Sequence, residues 1–176
     1  MPVEVQESFE KLTRGRLVEG YGLTEASPVT HANPLFGLRK VGTIGIPIPN
    51  TDAKIVDLVT GEELPPGKIG ELIVKGPQVM SGYWSESHED EAESVIRDGW
   101  LYSGDLGYVD EDGYLYLVDR KKDLIISGGV NVFPRDIEEI IVQHPAVVEA
   151  AVFGAPDDKW GEAPVAAVIV DDMRIN

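Results

Sequence analysis

Between Val41 and Val118 the apolar runs are short and punctuated by glycine and proline. They read "GTIGIPIP", "AKIVDLV", "GELIVKG", "WLYSGDLGYV" and "YLYLV", with "TGEELPPGK" and "DEDGY" between them. Proline removes a backbone donor, and glycine supplies the backbone angles of tight turns, so this punctuation breaks helices and makes hairpins. β-branched and aromatic residues within the runs favour strands. The stretch therefore predicts a small β-barrel or sandwich. One segment departs from it: "ESHEDEAESVIRDG" reads as a polar helix ending at Gly99.

The flanks follow other rhythms. Residues 3–12 predict a short helix, with Val5, Phe9 and Leu12 on one apolar stripe at i, i+4, i+7. "RLVEGYG" predicts a buried strand ending in glycines. After Arg120, "DLIIS" reads as a strand and "GG" as a turn. "PRDIEEIIVQH" reads as a helix, with Pro134 near its start and acids in its first turns, where the helix dipole favours them. Ile137, Ile140 and Ile141 are its expected buried stripe. "AVVEAAVFGAP" and "APVAAVIV" are two further strands, giving a small β-α-β-β unit. Its sheet faces call for more covering chain than the six residues after Val170. A domain boundary near residue 120 follows, and no internal repeat or low-complexity segment is present.

Composition narrows the partners. The chain carries 31 acids against 15 bases, a formal charge of −16, which repels nucleic acid over most of the surface. The basic cluster Arg120-Lys121-Lys122 is either a place for an anionic ligand or a solvated turn. There is no cysteine, so disulfides, thiolate catalysis and cysteine-ligated zinc are excluded. No apolar run approaches a membrane span, and "MPVEVQESFE" lacks the pattern of a signal peptide. "GEELPPGKIG" imitates a phosphate loop but fails. Five residues intervene between Gly61 and Gly67, two of them proline, and Ile69 follows Lys68. The turn of an exposed hairpin is the better reading. His31, His88 and His144 have no ligand spacing and read as surface or helix-end residues.

Three stretches can carry chemistry. In "EGYGLTEASP" the glycines let backbone approach a ligand closely, Thr24 offers a hydroxyl to a phosphate oxygen, and Glu25 offers a hard oxygen to Mg²⁺. A plain strand and turn is the alternative. In "DGWLYSGDLGY", Asp105 can accept hydrogen bonds from the vicinal hydroxyls of a ribose, or it can close an Asx-turn. In "DRKKDLIISGGVNVFP", Arg120 ends a strand, as a ligand contact or as an edge charge.

Taken in order, "EGYGLTEASPV", "GTIGIPIPNTDAKIVD", "PPGKIGELIVKGPQVMSGYW", "DGWLYSGDLGYVDEDGYLYLVDRKKDLIISGGVNVFPRDIEE" and "HPAVVEAAVFGAPDDKWGEA" resemble the adenylate-forming superfamily. That superfamily comprises acyl-CoA synthetases, peptide-synthetase adenylation domains and luciferases, and the wording is most similar to bacterial long-chain fatty-acid–CoA ligases. The resemblance runs from about Leu17 to Val170. It implies a mixed α/β and β fold: residues 1–37 as the end of an α/β AMP-binding subdomain, 38–120 as a β-rich barrel-like subdomain, and 121–176 as an incomplete α+β C-terminal domain.

The resemblance also assigns roles. Tyr21 matches the tyrosine that stacks on adenine, Thr24 the threonine on the α-phosphate, and Glu25 the Mg²⁺ ligand. Gly22 matches a residue of the acyl-pocket wall. Asp105 and Arg120 match the residues that reach the ribose. Lys122 falls at the hinge position, and Ser127, Gly128 and Gly129 match the loop lining the pantetheine tunnel. The implied substrates are ATP, a carboxylic acid of the fatty-acid class, and CoA, with Mg²⁺ as cofactor and AMP as product. A cytoplasmic location, at most peripheral to a membrane, is expected. An aryl or short-chain acid–CoA ligase, or a non-catalytic nucleotide-binding module, are the alternatives.

The family's Gly-rich loop ending in Lys, and its near-terminal Lys, have no counterpart in these 176 residues. The expectation is that this chain alone forms no acyl-adenylate and that unpartnered apolar faces favour self-association.

Overall fold

The computed structural model describes residues 3–84 and 95–171. The fold is mixed and mostly β, with two α-helices among the described residues. The chain divides into two compact units, Met1–Leu117 and Val118–Asn176.

In the first unit, α1 (Val3–Thr13) precedes a three-stranded antiparallel sheet of β1 (Gly20–Gly22), β2 (Val29–Ala32) and β3 (Ile46–Pro47). A second sheet holds β4 (Asp52–Val56), β5 (Gly70–Lys75), β7 (Trp100–Val109) and β6 (Ile96–Arg97) in that order, and β8 (Leu115–Arg120), which begins in this unit and ends in the next, also pairs with β7. β5 lies between β4 and β7, and Gly70 to Val74 are all buried, so burial runs along it without alternation and takes in one charged side chain, Glu71. Leu72, Val74, Ile55, Leu101, Leu115 and Ala26 form the core cluster. Each large side chain removed from water there contributes about 1.5–3 kcal/mol. The look-alike phosphate loop is the exposed connection from β4 to β5, as its prolines require.

In the second unit, β9 (Ile125–Ser127), β10 (Val130–Val132), β11 (Val147–Asp157) and β12 (Gly161–Val170) form an antiparallel sheet in the order β10-β9-β12-β11. α2 (Pro134–Ile141) packs on β11 and carries proline at its first turn.

The stripe Val5, Phe9, Leu12 lies on α1 as expected and is exposed, Leu12 at 86 %, while Gln6 is the buried residue among the described side chains of that helix. Several expectations are corrected. "RLVEGYG" yields only the three-residue β1, which is not buried because it is an edge strand paired on one side. The expected polar helix falls largely on 85–94, outside the described residues. Its described end is instead the hairpin β6–β7, turned by Asp98 and Gly99, both at positive φ. Such Asp-Gly turns match the twist of the strands they join. Unit two contains a strand, β10, that the β-α-β-β reading lacked. On α2, Ile137 and Ile141 are half-buried, but Ile140 is exposed.

Candidate functional site

"GYGLTEASPV" folds as a tight hairpin. β1 and β2 pair through Tyr21 with His31 and Gly22 with Val29, with a register shift after Tyr21. Between the strands, Thr24–Ala26 makes one 3₁₀ turn, and Ser27 takes a left-handed conformation to close it. The Leu23 amide donates to the Pro28 carbonyl at 2.7 Å. Ala26 is fully buried and anchors the turn in the core. Thr24 is thereby held out toward solvent, and Glu25 is left half-buried.

Asp105 reaches the same place from 84 residues away. On β7 the segment Ser103–Asp105 bulges, because Tyr102 and Leu106 pair with Ile73 and Glu71, only two residues apart on β5. Gly104 takes a positive φ, its amide donating to the buried Glu71 carboxylate at 3.2 Å. Ser103 Oγ donates to the Leu72 carbonyl at 2.7 Å and accepts from the Asp105 amide at 3.1 Å. Bulges of this kind re-aim a side chain, and here the Asp105 carboxylate accepts a hydrogen bond from the Tyr21 hydroxyl. Tyr21 also contacts the His31 ring, tilted, at 6.0 Å between centroids.

Glu25 has its own partner. The Tyr83 hydroxyl donates to Glu25 Oε1, and the Met80 amide donates to the Glu25 carbonyl at 2.8 Å. That hydrogen bond from Tyr83 holds the Glu25 carboxyl below the usual carboxylate range, and a backbone amide adds to it. Leu23, Glu25, Tyr83, Leu101, Tyr102 and Ser103 line a recess of about 70 Å³. No cluster of three or more histidine or acidic side chains able to hold a metal occurs among the described residues. A lone carboxylate suits Mg²⁺, which keeps several waters and takes one or two carboxylates together with the phosphates of a substrate. The donor set therefore fits a cation that arrives with a phosphorylated ligand.

The first unit thus brings Tyr21 and Asp105 into contact and places Gly22, Thr24 and Glu25 on the same hairpin. Arg120, Lys122, Ser127, Gly128 and Gly129 belong to the second unit. Arg120 ends β8, exposed, its amide bonded to Asp119 Oδ1 at 2.8 Å. Lys122 sits exposed in the 3₁₀ turn Lys121–Asp123. Ser127, Gly128 and Gly129 make the tight β9–β10 turn, with both glycines at positive φ. A Cβ on Gly128 would lie 2.6 Å from the Trp160 ring, and the Gly128 amide donates to the Trp160 carbonyl at 2.8 Å. Glu162 Oε2 accepts from the Ile126 amide at 2.8 Å, so the β11–β12 turn holds this loop.

Three residues of consequence escaped the sequence reading. Tyr83 carries no periodic or motif signal beyond following a glycine. Trp160 had only its position beside Gly161. His31 is corrected from a surface residue to a fully buried one. Its Nδ1 shares a hydrogen bond with Thr30 Oγ1 at 2.9 Å, its Nε2 has no partner among the described residues, and burial holds the imidazole down at about 4. His144 follows α2, exposed, as expected, and His88 lies outside the described residues.

Comparisons with known proteins converge. The AMP-binding enzyme family matches residues 1–84, and the AMP-binding enzyme C-terminal domain matches residues 136–175. A long-chain-fatty-acid–CoA ligase of Bacillus subtilis (strain 168) is 55% identical over 170 residues, covering 97% of this chain and 30% of the relative. The chain thus spans less than a third of that relative's length. The crystal structure of ATP-bound MatB from Rhodopseudomonas palustris superposes with a TM-score of 0.85 at 40% identity, over 98% of this chain and 34% of the other. The o-succinylbenzoate coenzyme A synthetase of Bacillus subtilis, in complex with ATP and magnesium ion, gives 0.81 at 37% identity, over 97% and 34%. No described helix is long and apolar enough to cross a membrane.

Proposed function

We infer that this chain, which belongs to the adenylate-forming AMP-binding enzyme family and is homologous to long-chain-fatty-acid–CoA ligases, carries an adenosine-binding and cation-binding corner of an acid–thiol ligase. The proposed reaction has two steps. A carboxylate oxygen attacks the α-phosphorus of ATP, forming an acyl–AMP anhydride and releasing pyrophosphate. The CoA thiol then attacks the acyl carbonyl, forming the thioester and releasing AMP, with the thiol proton passing to solvent or base.

The observation that supports this reading best is the contact of Tyr21 with Asp105. Base and ribose are joined by one bond in adenosine, so the residues proposed for each must be neighbours, and these two are. Tyr21 offers a ring face to adenine, and Asp105 a carboxylate to the ribose hydroxyls. Thr24, exposed on the turn, is proposed to orient the α-phosphate. Glu25 is proposed to hold Mg²⁺, which when bound would offset the negative charge of attacking and attacked groups. Gly22 is proposed at the acyl-pocket wall. In the second unit, Arg120 is proposed for the ribose, Lys122 as the pivot between half-reactions, and Ser127, Gly128 and Gly129 for the pantetheine arm of CoA. The 1–37, 38–120 and 121–176 division and a fatty acid as the substrate belong to the same proposal.

Asp105→Ala tests it by calorimetric titration with AMP. Losing hydrogen bonds to a charged acceptor costs about 1.5–3 kcal/mol, so affinity should fall roughly ten- to hundredfold, while Asp112→Ala, on the β7–β8 turn, leaves it unchanged. Equal affinity of Asp105→Ala and wild type would remove Asp105 from the site.

A further inference from the structure

We propose that Tyr83 is a positioning residue for Glu25, holding one carboxylate oxygen so that the other is presented to a divalent cation. This rests on Glu25 being the cation ligand.

A free glutamate has several side-chain torsions and can offer a cation either oxygen or both. Here one contact holds its backbone and another its carboxylate. The Met80 amide binds the Glu25 carbonyl at 2.8 Å, pinning the backbone of the 3₁₀ turn against the segment that follows β5. Three residues later in that segment, the Tyr83 hydroxyl donates to Glu25 Oε1. With Oε1 engaged by Tyr83, Oε2 is the oxygen proposed to meet the cation, in keeping with the one or two carboxylates that Mg²⁺ takes beside substrate phosphates and water. Hydrogen bonds to ligating carboxylates fix their orientation, and losing them typically lowers metal affinity by about ten- to hundredfold.

Tyr83 is itself 65 % exposed, so its ring contributes little to the core, and Tyr83→Phe removes the hydroxyl without opening a cavity. A merely structural role for the hydroxyl would therefore change neither nucleotide nor cation affinity. Next to it, Trp84 is 93 % exposed and serves as a control.

The test titrates Mn²⁺ into the chain in saturating AMP, following free Mn²⁺ by its electron paramagnetic resonance signal, and separately measures AMP affinity without metal. Tyr83→Phe should weaken Mn²⁺ about tenfold and leave metal-free AMP affinity unchanged. Glu25→Gln should weaken Mn²⁺ at least as much, and Trp84→Phe should match wild type. If Glu25→Gln loses Mn²⁺ but Tyr83→Phe does not, the positioning role falls and the ligand assignment stands. If Glu25→Gln retains wild-type Mn²⁺ affinity, or wild type takes up none, the ligand assignment falls and this inference with it. If Tyr83→Phe lowers metal-free AMP affinity as much as Mn²⁺ affinity, Tyr83 acts on the nucleotide and the inference is overturned.

Discussion

Gly22→Ala should cost about 3 kcal/mol or more of unfolding free energy, an overpacking penalty at the top of its usual range because the obstacle is backbone. A Cβ at this position would lie 1.7 Å from the Pro28 carbonyl oxygen, 2.5 Å from its carbon and 2.7 Å from Val29 Cα. No side chain can rotate to relieve that. The Pro28 carbonyl is also the acceptor of the Leu23 amide, so displacing it breaks the bond that closes the hairpin. Gly22 has no positive φ, and the penalty is therefore steric rather than conformational. Gly20 provides the comparison: a Cβ there would meet its nearest atom, the His31 carbonyl oxygen, at 3.4 Å, ordinary contact. Urea denaturation followed by tryptophan fluorescence should show Gly20→Ala within about 0.5 kcal/mol of wild type and Gly22→Ala far below it. Matching midpoints for the two variants would mean that the strand crossing is looser than these distances allow. The glycine first read as a place for a ligand to approach is thus required by its own hairpin, whatever it also does at an acyl pocket.

What could be read from the residues, and what could not, divides along physical lines. The strands of 41–118 were legible because β-branched and aromatic runs between glycines and prolines have few other folds open to them. Asp105 and Tyr21 were legible only as types in a family order. Their contact depends on a bulge at Ser103–Asp105, and two extra residues in a strand leave no periodic trace beyond the glycine that permits them. The Asp98-Gly99 turn carried a readable hairpin signal, but the acids before it weighed toward a helix. Periodicity identified the stripe of α1 without saying what covers it, since a period reports a face and not a partner. Tyr83 was invisible because 58 residues separate it from Glu25 and one hydroxyl makes no pattern. His31 was misplaced for a related reason: its neighbours in sequence are polar or small, and only pairing within β1-β2-β3 reveals the burial.

That burial should make the fold acid-sensitive between about pH 6.5 and 4. The imidazole is held at about 4 by desolvation, against about 6.5 in an unfolded chain. Above pH 6.5 both states are neutral at this residue, and stability is independent of it. Between 6.5 and 4 the unfolded chain binds a proton that the folded chain refuses, so stability falls with pH across that window and levels off below it. At 1.36 kcal/mol per unit, the loss between pH 7.5 and 4.5 is about 2.5 kcal/mol. Structure supplies the reason the proton is refused. Nδ1 already shares its hydrogen bond with Thr30, and Nε2 has no partner among the described residues, so an imidazolium would bury a charged donor with nothing to receive it. Glu10, held down to about 2 by the Arg39 guanidinium and the Leu17 amide, and Glu25, Asp57 and Asp110, also held low, add acid lability of their own as they protonate. Comparison with a variant therefore isolates the histidine. His31→Gln keeps a polar side chain but cannot titrate. Its unfolding free energy, measured in urea at pH 7.5, 6.5, 5.5 and 4.5, should converge on or overtake that of wild type as pH falls, the gap between them changing by about 2.5 kcal/mol. A gap constant from pH 7.5 to 4.5 would mean that His31 takes up its proton equally well folded and unfolded, and that the hairpin bearing Tyr21 and Glu25 opens readily enough to hydrate it.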